Sequence, residues 1–209
     1  MNALKLHRFP LSGHSHRVEL FISLLGLPCE LITVDLAKRA HKQPEYLALN
    51  RFGQVPVLQD GNAVISDSNA ILIYLASKYG KGQAIDWLPS DPLHAAQVHR
   101  WLAIAAGQIA FGPARARLKT VFNAPIDAAD AIARADALFA VMEDELQQAP
   151  FLTGAAPTIA DISAYTYIAH APEGNVSLQP YPHLRAWLAR IEALPGFVGM
   201  PKTAVGLAA

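Results

Sequence analysis

Four short stretches of the 209-residue chain carry residues whose types and spacing could do chemistry. In "HRFPLSGHSHRVEL" (7–20), hydroxyls and imidazoles crowd a loop just ahead of a helical pattern. A hydroxyl held there, Ser12 above all, can donate to an anion at the helix N-terminus, where unpaired N–H groups already favour negative charge. A thiolate gains most, because a free thiol with a pKa of about 8.5 is mostly protonated at neutrality. Each unit of lowering needs about 1.4 kcal/mol of preferential stabilisation, and one charge-assisted hydrogen bond plus a helix end is of that order. The commoner role of Ser12, Gly13 and Ser15 is that of turn and cap residues.

The other three stretches offer complementary charges and backbone. In "ISDSNAILIYL" (65–75), Asp67 and Ser68 stand at the mouth of a helix. Either they are its cap, the usual explanation, or the helix end and the Ser68 hydroxyl bind a carboxylate while Asp67 favours an ammonium. An α-amino acid head group carries both charges. Lys42, in "RAHKQPEYLALN" (39–50), is either a solvated charge or the partner of a second carboxylate. Pro56 lies between Val55 and Val57, where a buried strand should begin. Spacing alone favours an ordinary proline at a strand start; a cis bond would instead turn the N–H and C=O of Val55 outward, toward a peptide-like ligand. His14 and His16 have no carboxylate or cysteine cluster beside them, so no metal is expected.

The elements that must position these residues follow from periodicity. Leu4 and Leu6 alternate with Lys5 and His7 as in a half-buried strand, and Val18, Phe21, Ile22 and Leu25 form a helical stripe closed by Gly26 and Pro28. A β-branched run at 30–36 predicts a strand, Pro44 opens a short helix, and two apolar runs flank Asp60-Gly61 as the centre of a tight hairpin turn. With a helix through 71–75 ending near Gly80, the order over 1–80 is β-α-β-α-β-β-α. A Gly- and Pro-containing linker at 81–90 leads to an all-helical second domain over 91–209, with helices near 92–111, 127–148, 159–170 and 183–194. In it Thr158 and Asp161 have the spacing of a capping box.

Bulk properties narrow the function. Lys+Arg and Asp+Glu are both 17, which leaves no basic excess for a nucleic acid or an anionic membrane. The one cysteine, Cys29, cannot form an internal disulfide, no apolar stretch reaches the ~20 residues of a membrane span, and a soluble cytoplasmic protein is expected.

Taken together, "FGQVPVLQDG" (52–61), "SDSNAILIYLASKYG" (66–80) and "TIAD" (158–161) resemble the cytosolic glutathione S-transferase family, in order and spacing, over essentially the whole chain. The resemblance implies an α/β thioredoxin-like N-terminal domain, an all-α helical-bundle C-terminal domain, a glutathione site and a homodimer. It assigns Ser12, five residues before Arg17-Val18, to the catalytic serine of serine-type members, with Ser15 as a weaker substitute. Val55 with a cis Pro56 resembles the backbone clamp on the cysteinyl unit, Gln54 the side chain that holds the tripeptide backbone, and Asp67-Ser68 the pair on the γ-glutamyl head group. His41-Lys42 resembles the pair of phi-like and related bacterial sequences, with Lys42 near the glycyl carboxylate. A hydrophobic electrophile is then expected against Leu11, Phe111 and Arg115, placed there by chain position alone. The implied activity is attack of a glutathione thiolate on that electrophile, with glutathione as co-substrate. Glutathione-dependent reduction of disulfides or peroxides, and a non-catalytic binding or dimerisation module, are the alternatives. The chain departs from cysteine- and tyrosine-type relatives: there is no Cys near position 12, no Ser-Ser-Cys motif and no first-loop tyrosine, and Cys29 is expected to be packed.

Overall fold

A sheet built on Leu4–Arg8 (β1) organises the first part of the chain. The structure, a computed structural model, describes residues 4–208. The chain divides into two compact units, Met1–Gln83 with Leu194–Pro201, and Ala84–Ala193 with Lys202–Ala209.

In the first unit, β1 is followed by α1 (Gly13–Leu24), β2 (Cys29–Thr33), a 3-10 turn (Ala40–Lys42), α2 (Pro44–Leu49), β3 (Val57–Asp60), β4 (Ala63–Ser66) and α3 (Ser68–Tyr79). The strands lie in the order β2-β1-β3-β4, with β1 parallel to β2 and the other neighbours antiparallel. Period-2 alternation sets the register: Leu4 and Leu6 are buried, while exposed Lys5 faces Glu30 across the ladder, 3.4 Å away. Helices α1 and α3 pack together, burying Val18, Phe21, Ile71, Leu72 and Leu75. Helix α2 contributes Tyr46 to a smaller cluster with Val34 and Val57.

Two local expectations are corrected. The hairpin turn is centred on Gly61-Asn62, because Asp60 still pairs with Ala63 and only Gly61 of the two central residues has positive φ (59°). Asp60 is held in the strand by its carboxylate, whose Oδ2 accepts from the Tyr74 hydroxyl at 2.8 Å, the Tyr79 hydroxyl at 2.6 Å and Lys78 Nζ at 2.6 Å. The second strand starts at Cys29 and stops at Thr33, short of residue 36. The segment Leu194–Pro201, which the sequence reading placed with the helical domain, packs in the first unit. There the Ser23 hydroxyl donates to Gly196 O at 2.7 Å, and Val198 O lies 3.0 Å from His16 Nε2. Gly196 has φ 86°, and a Cβ on it would sit 2.9 Å from Ser23 O, so no other residue fits without a shift.

The second unit holds α4 (Pro92–Ile104), extended by one π turn (Ala105–Ile109), then α5 (Pro113–Val121), α6 (Ala129–Gln148), α7 (Ile159–Ala169) and α8 (Pro182–Glu192). No helix is expected between 111 and 127, yet α5 lies there: Pro113, which would stop a helix running into it, occupies the first turn of a new one, where its missing N–H costs nothing. The core is α7, buried from Ile159 to Ile168. Its capping box is formed, with Thr158 N donating to Asp161 Oδ2 at 2.8 Å. The same fully buried carboxylate also accepts from Leu152 N and from the Trp187 indole, both at 2.9 Å at Oδ1. No helix among the described residues is long and apolar enough to cross a membrane.

Thr158→Ala should therefore cost about 1 kcal/mol, as other caps do. Asp161→Ala should cost about 3 kcal/mol or more, since it strands three buried donors. Urea denaturation of both variants checks the ranking, and equal losses would refute it.

Candidate functional site

The residues singled out in the sequence are drawn together mainly by the loop between α2 and β3. Tyr46 Oη and Asn50 Nδ2 each donate to the carbonyl of Gln54 at 2.9 Å. Lys42 Nζ donates to the carbonyls of Phe52 at 3.1 Å and Gly53 at 2.8 Å. Gly53 has φ 56°, and a Cβ there would lie 2.7 Å from His41 O, so the loop can close on the 3-10 turn only with glycine at this point. The pinned loop delivers Val55, whose peptide bond to Pro56 is cis. Among the described residues, neither the N–H nor the C=O of Val55 takes part in the hydrogen bonds outside helices and strands.

Opposite chemistry enters from α3. Asp67 is its N-cap, with Oδ1 accepting from Asn69 N at 2.9 Å and Ala70 N at 3.0 Å. Its backbone has φ 71° and ψ 126°, a region that a residue with a Cβ enters only at a cost of about 1–3 kcal/mol. Ser68 is the first helical residue and is buried; its Oγ accepts from Arg17 Nη1 at 3.2 Å and lies 3.4 Å from His14 Nδ1.

These elements enclose a cavity of about 700 Å³ in the first unit. Lys42, Gln54, Val55, Pro56, Asp67 and Ser68 all line it. So do His41, which the resemblance pairs with Lys42, and His14, Asn50 and Phe52, to which the sequence assigns no site role. The two histidines carry little charge at neutral pH. Burial, followed by the nearby charge of Arg17, pushes His14 down to about 3, and His41 is lowered by burial and by Lys42 and Arg39. The fixed charges of the cavity are thus the Lys42 ammonium and the Asp67 carboxylate.

Ser12 does not line the cavity. It is the N-cap of α1, half-buried, with Oγ accepting from Ser15 N at 3.3 Å. That bond uses the oxygen as acceptor and leaves the hydroxyl proton to be donated. Ser15 is fully buried, and its Oγ accepts from Phe9 N at 3.2 Å, so Ser12 is the more accessible of the two hydroxyls. Leu11, Phe111 and Arg115 do not line the cavity either; Leu11 is half-buried in the first unit, while Phe111 and Arg115 are exposed in the second. Among the described residues no group of three or more His, Cys, Asp or Glu could hold a metal ion.

A family model for the glutathione S-transferase N-terminal domain matches residues 6–83, and one for the C-terminal domain matches residues 94–190. The chain belongs to the glutathione S-transferase family. Glutathione S-transferase 3 of Zea mays is 36% identical over 211 residues, spanning 94% of this chain and 92% of the maize protein. Human glutathione S-transferase theta-2 is 36% identical over 195 residues, spanning 88% of this chain and 79% of the human protein. The crystal structure of a glutathione S-transferase from Pseudomonas fluorescens superposes with a TM-score of 0.88 at 30% identity, covering 95% of this chain and 99% of that one. The small mixed sheet with its flanking helices and the helical second unit are accordingly those of a glutathione S-transferase.

The neutral His14 has a consequence for acid stability. Its pKa is about 3 when folded and 6.5 for the ordinary side chain, so between those values the unfolded chain binds more protons and stability falls with falling pH. In His14→Gln the unfolding free energy should decline less steeply below about pH 6.5, by up to ~1.4 kcal/mol per pH unit. Urea denaturation across that range measures it, and identical slopes would remove His14 from the acid limb.

Proposed function

We propose that this glutathione S-transferase family member activates the thiol of glutathione as a thiolate and joins it to hydrophobic electrophiles. The observation that carries the reading is the chemistry of the cavity. One wall supplies the free backbone of Val55 beside Pro56 for a peptide-like ligand, and the same cavity holds the Lys42 ammonium for one carboxylate. Asp67 and Ser68 at the start of α3 meet the ammonium and carboxylate of an α-amino acid head group. A γ-glutamyl tripeptide carries all of these groups.

Ser12 is proposed as the catalytic residue. Its hydroxyl proton would point at the sulfur at the N-terminus of α1, where the helix end adds a second favourable term. The thiol proton leaves to solvent, the thiolate sulfur forms the new C–S bond, and the leaving group departs with its electron pair. The protein supplies positioning and stabilisation of the anion. Reduction through a protein thiol gains no support, because burial pushes the Cys29 thiol up to about 11, away from the reactive thiolate form.

The ultraviolet absorbance of thiolate, followed as glutathione is added across a pH series, tests the reading. In the wild type the bound thiol should titrate well below its free value. Ser12→Ala should lose most of that shift and about 10- to 100-fold in conjugation rate, the worth of one charge-assisted hydrogen bond. A shift that survives the substitution would remove Ser12 from this role. The homodimer belongs to the same proposal: light scattering at micromolar concentration should return twice the chain mass, and a monomer would refute it.

A further inference from the structure

Arg17 is the one charged side chain of α1 that is fully buried, at 1% exposure, and it belongs to none of the roles above. Placing a guanidinium in the interior costs several kcal/mol unless good partners compensate, and an aliphatic side chain would fill the contact between α1 and α3 without that cost. Its Nη1 donates to Ser68 Oγ at 3.2 Å and to Asn69 Oδ1 at 2.9 Å, the first two residues of α3. Both of these acceptors are neutral.

We propose that Arg17 is a positioning residue that makes the start of α3 selective for a carboxylate on the ligand's head group. The inference rests on the glutathione reading above and deepens it. A guanidinium can only donate, so Ser68 Oγ must accept from it and the hydroxyl proton must point away from Arg17. Ser68 lines the cavity, and the other polar atom near its oxygen is His14 Nδ1 at 3.4 Å. His14 is neutral; it either accepts the Ser68 proton or acts as a second donor to the same oxygen. In both cases a ligand carboxylate is the stronger acceptor and takes the hydroxyl proton. Arg17 therefore acts twice: it orients Ser68 as a donor, and it adds a full charge one hydrogen bond behind that donor, where the low local dielectric strengthens its pull. Asn69, held by the same guanidinium, also donates its backbone N–H to Asp67 Oδ1, so the cap and the donor are locked together.

The test compares two ligands by calorimetry: glutathione, and γ-aminobutyryl-cysteinyl-glycine, the same tripeptide lacking only the α-carboxylate of its first unit. Wild type should bind glutathione more tightly than the analogue. Arg17→Met should weaken glutathione by about 10- to 100-fold, the range of a hydrogen bond to a charged group. The analogue should change by no more than about 2-fold, the scatter expected of uncoupled sites. Arg17→Lys, which keeps the charge, should recover part of the loss for glutathione alone. A merely structural Arg17 predicts equal losses for both ligands, and that result, or unchanged glutathione binding, would overturn the proposal. If Arg17→Met does not fold, Arg17→Lys decides in the same way, by whether its loss is confined to glutathione. A wild type that binds both ligands equally would overturn the inference while leaving glutathione binding intact. A wild type that binds neither would overturn the functional reading as well.

Discussion

One residue turns the chain from an edge strand into a helix, and the site depends on that turn. β4 ends at Ser66 and α3 begins at Ser68, so Asp67 alone must redirect the backbone, and it does so at φ 71°. The conformation costs about 1–3 kcal/mol for a residue with a Cβ. Part of the compensation is local, because the Asp67 carboxylate accepts from two N–H groups that the helix end would otherwise leave open. The rest comes from below, where Arg17 holds the two residues that follow. A slack turn would move Ser68 and the helix end together, and the cavity would lose its geometry on that side.

The loop that faces this turn is stiffened by different means. It has no ladder of its own, so its carbonyls are satisfied one by one: Gln54 O by a phenol and an amide, Phe52 O and Gly53 O by an ammonium. Every one of these donors comes from the 3-10 turn, α2 or the residue that caps its C-terminus, and the loop's shape follows from theirs. Lys42 is thus a structural tie and a cavity-lining cation at once. Its third ammonium proton is the one left for a ligand. The cavity is otherwise kept short of mobile charge, since burial holds both lining histidines neutral.

The second unit solves a different problem. α7 is apolar on almost every side, and such a helix is stable only when others surround it. Its N-terminus would then bury open N–H groups, and Asp161 answers for them while also anchoring Leu152 and the Trp187 indole. At the other end, Glu173 accepts from Arg117 and from Thr203 N and meets His170, tying Thr203 to α5 and to the turn that follows α7. Buried carboxylates do the fastening at both ends, with donors matched to them in number.

The sequence by itself determined the order of strands and α-helices over residues 1–80, the capping box, and Lys42, Gln54, Val55, Pro56, Asp67 and Ser68 as candidates for one site. Those signals are local: apolar spacing, a cap three residues from its partner, a proline or glycine where the backbone needs one. Tertiary structure decided what local pattern cannot carry. Pro113 reads as an end until packing shows a helix beginning on it, and Asp60 reads as a turn residue until two tyrosines and a lysine from α3 hold it in the strand. Arg17 reads as one more charge on an amphipathic helix. Only when the fold lays Ser68 and Asn69, some fifty positions away, over its guanidinium does it become a buried cation beneath the site. His16 finds its partner in Val198, 182 residues on, for the same reason. A side chain's type and neighbours in sequence set which bonds it can make; which bonds it does make depends on what the closed chain brings within 3 Å of it, and whether water is left there to compete.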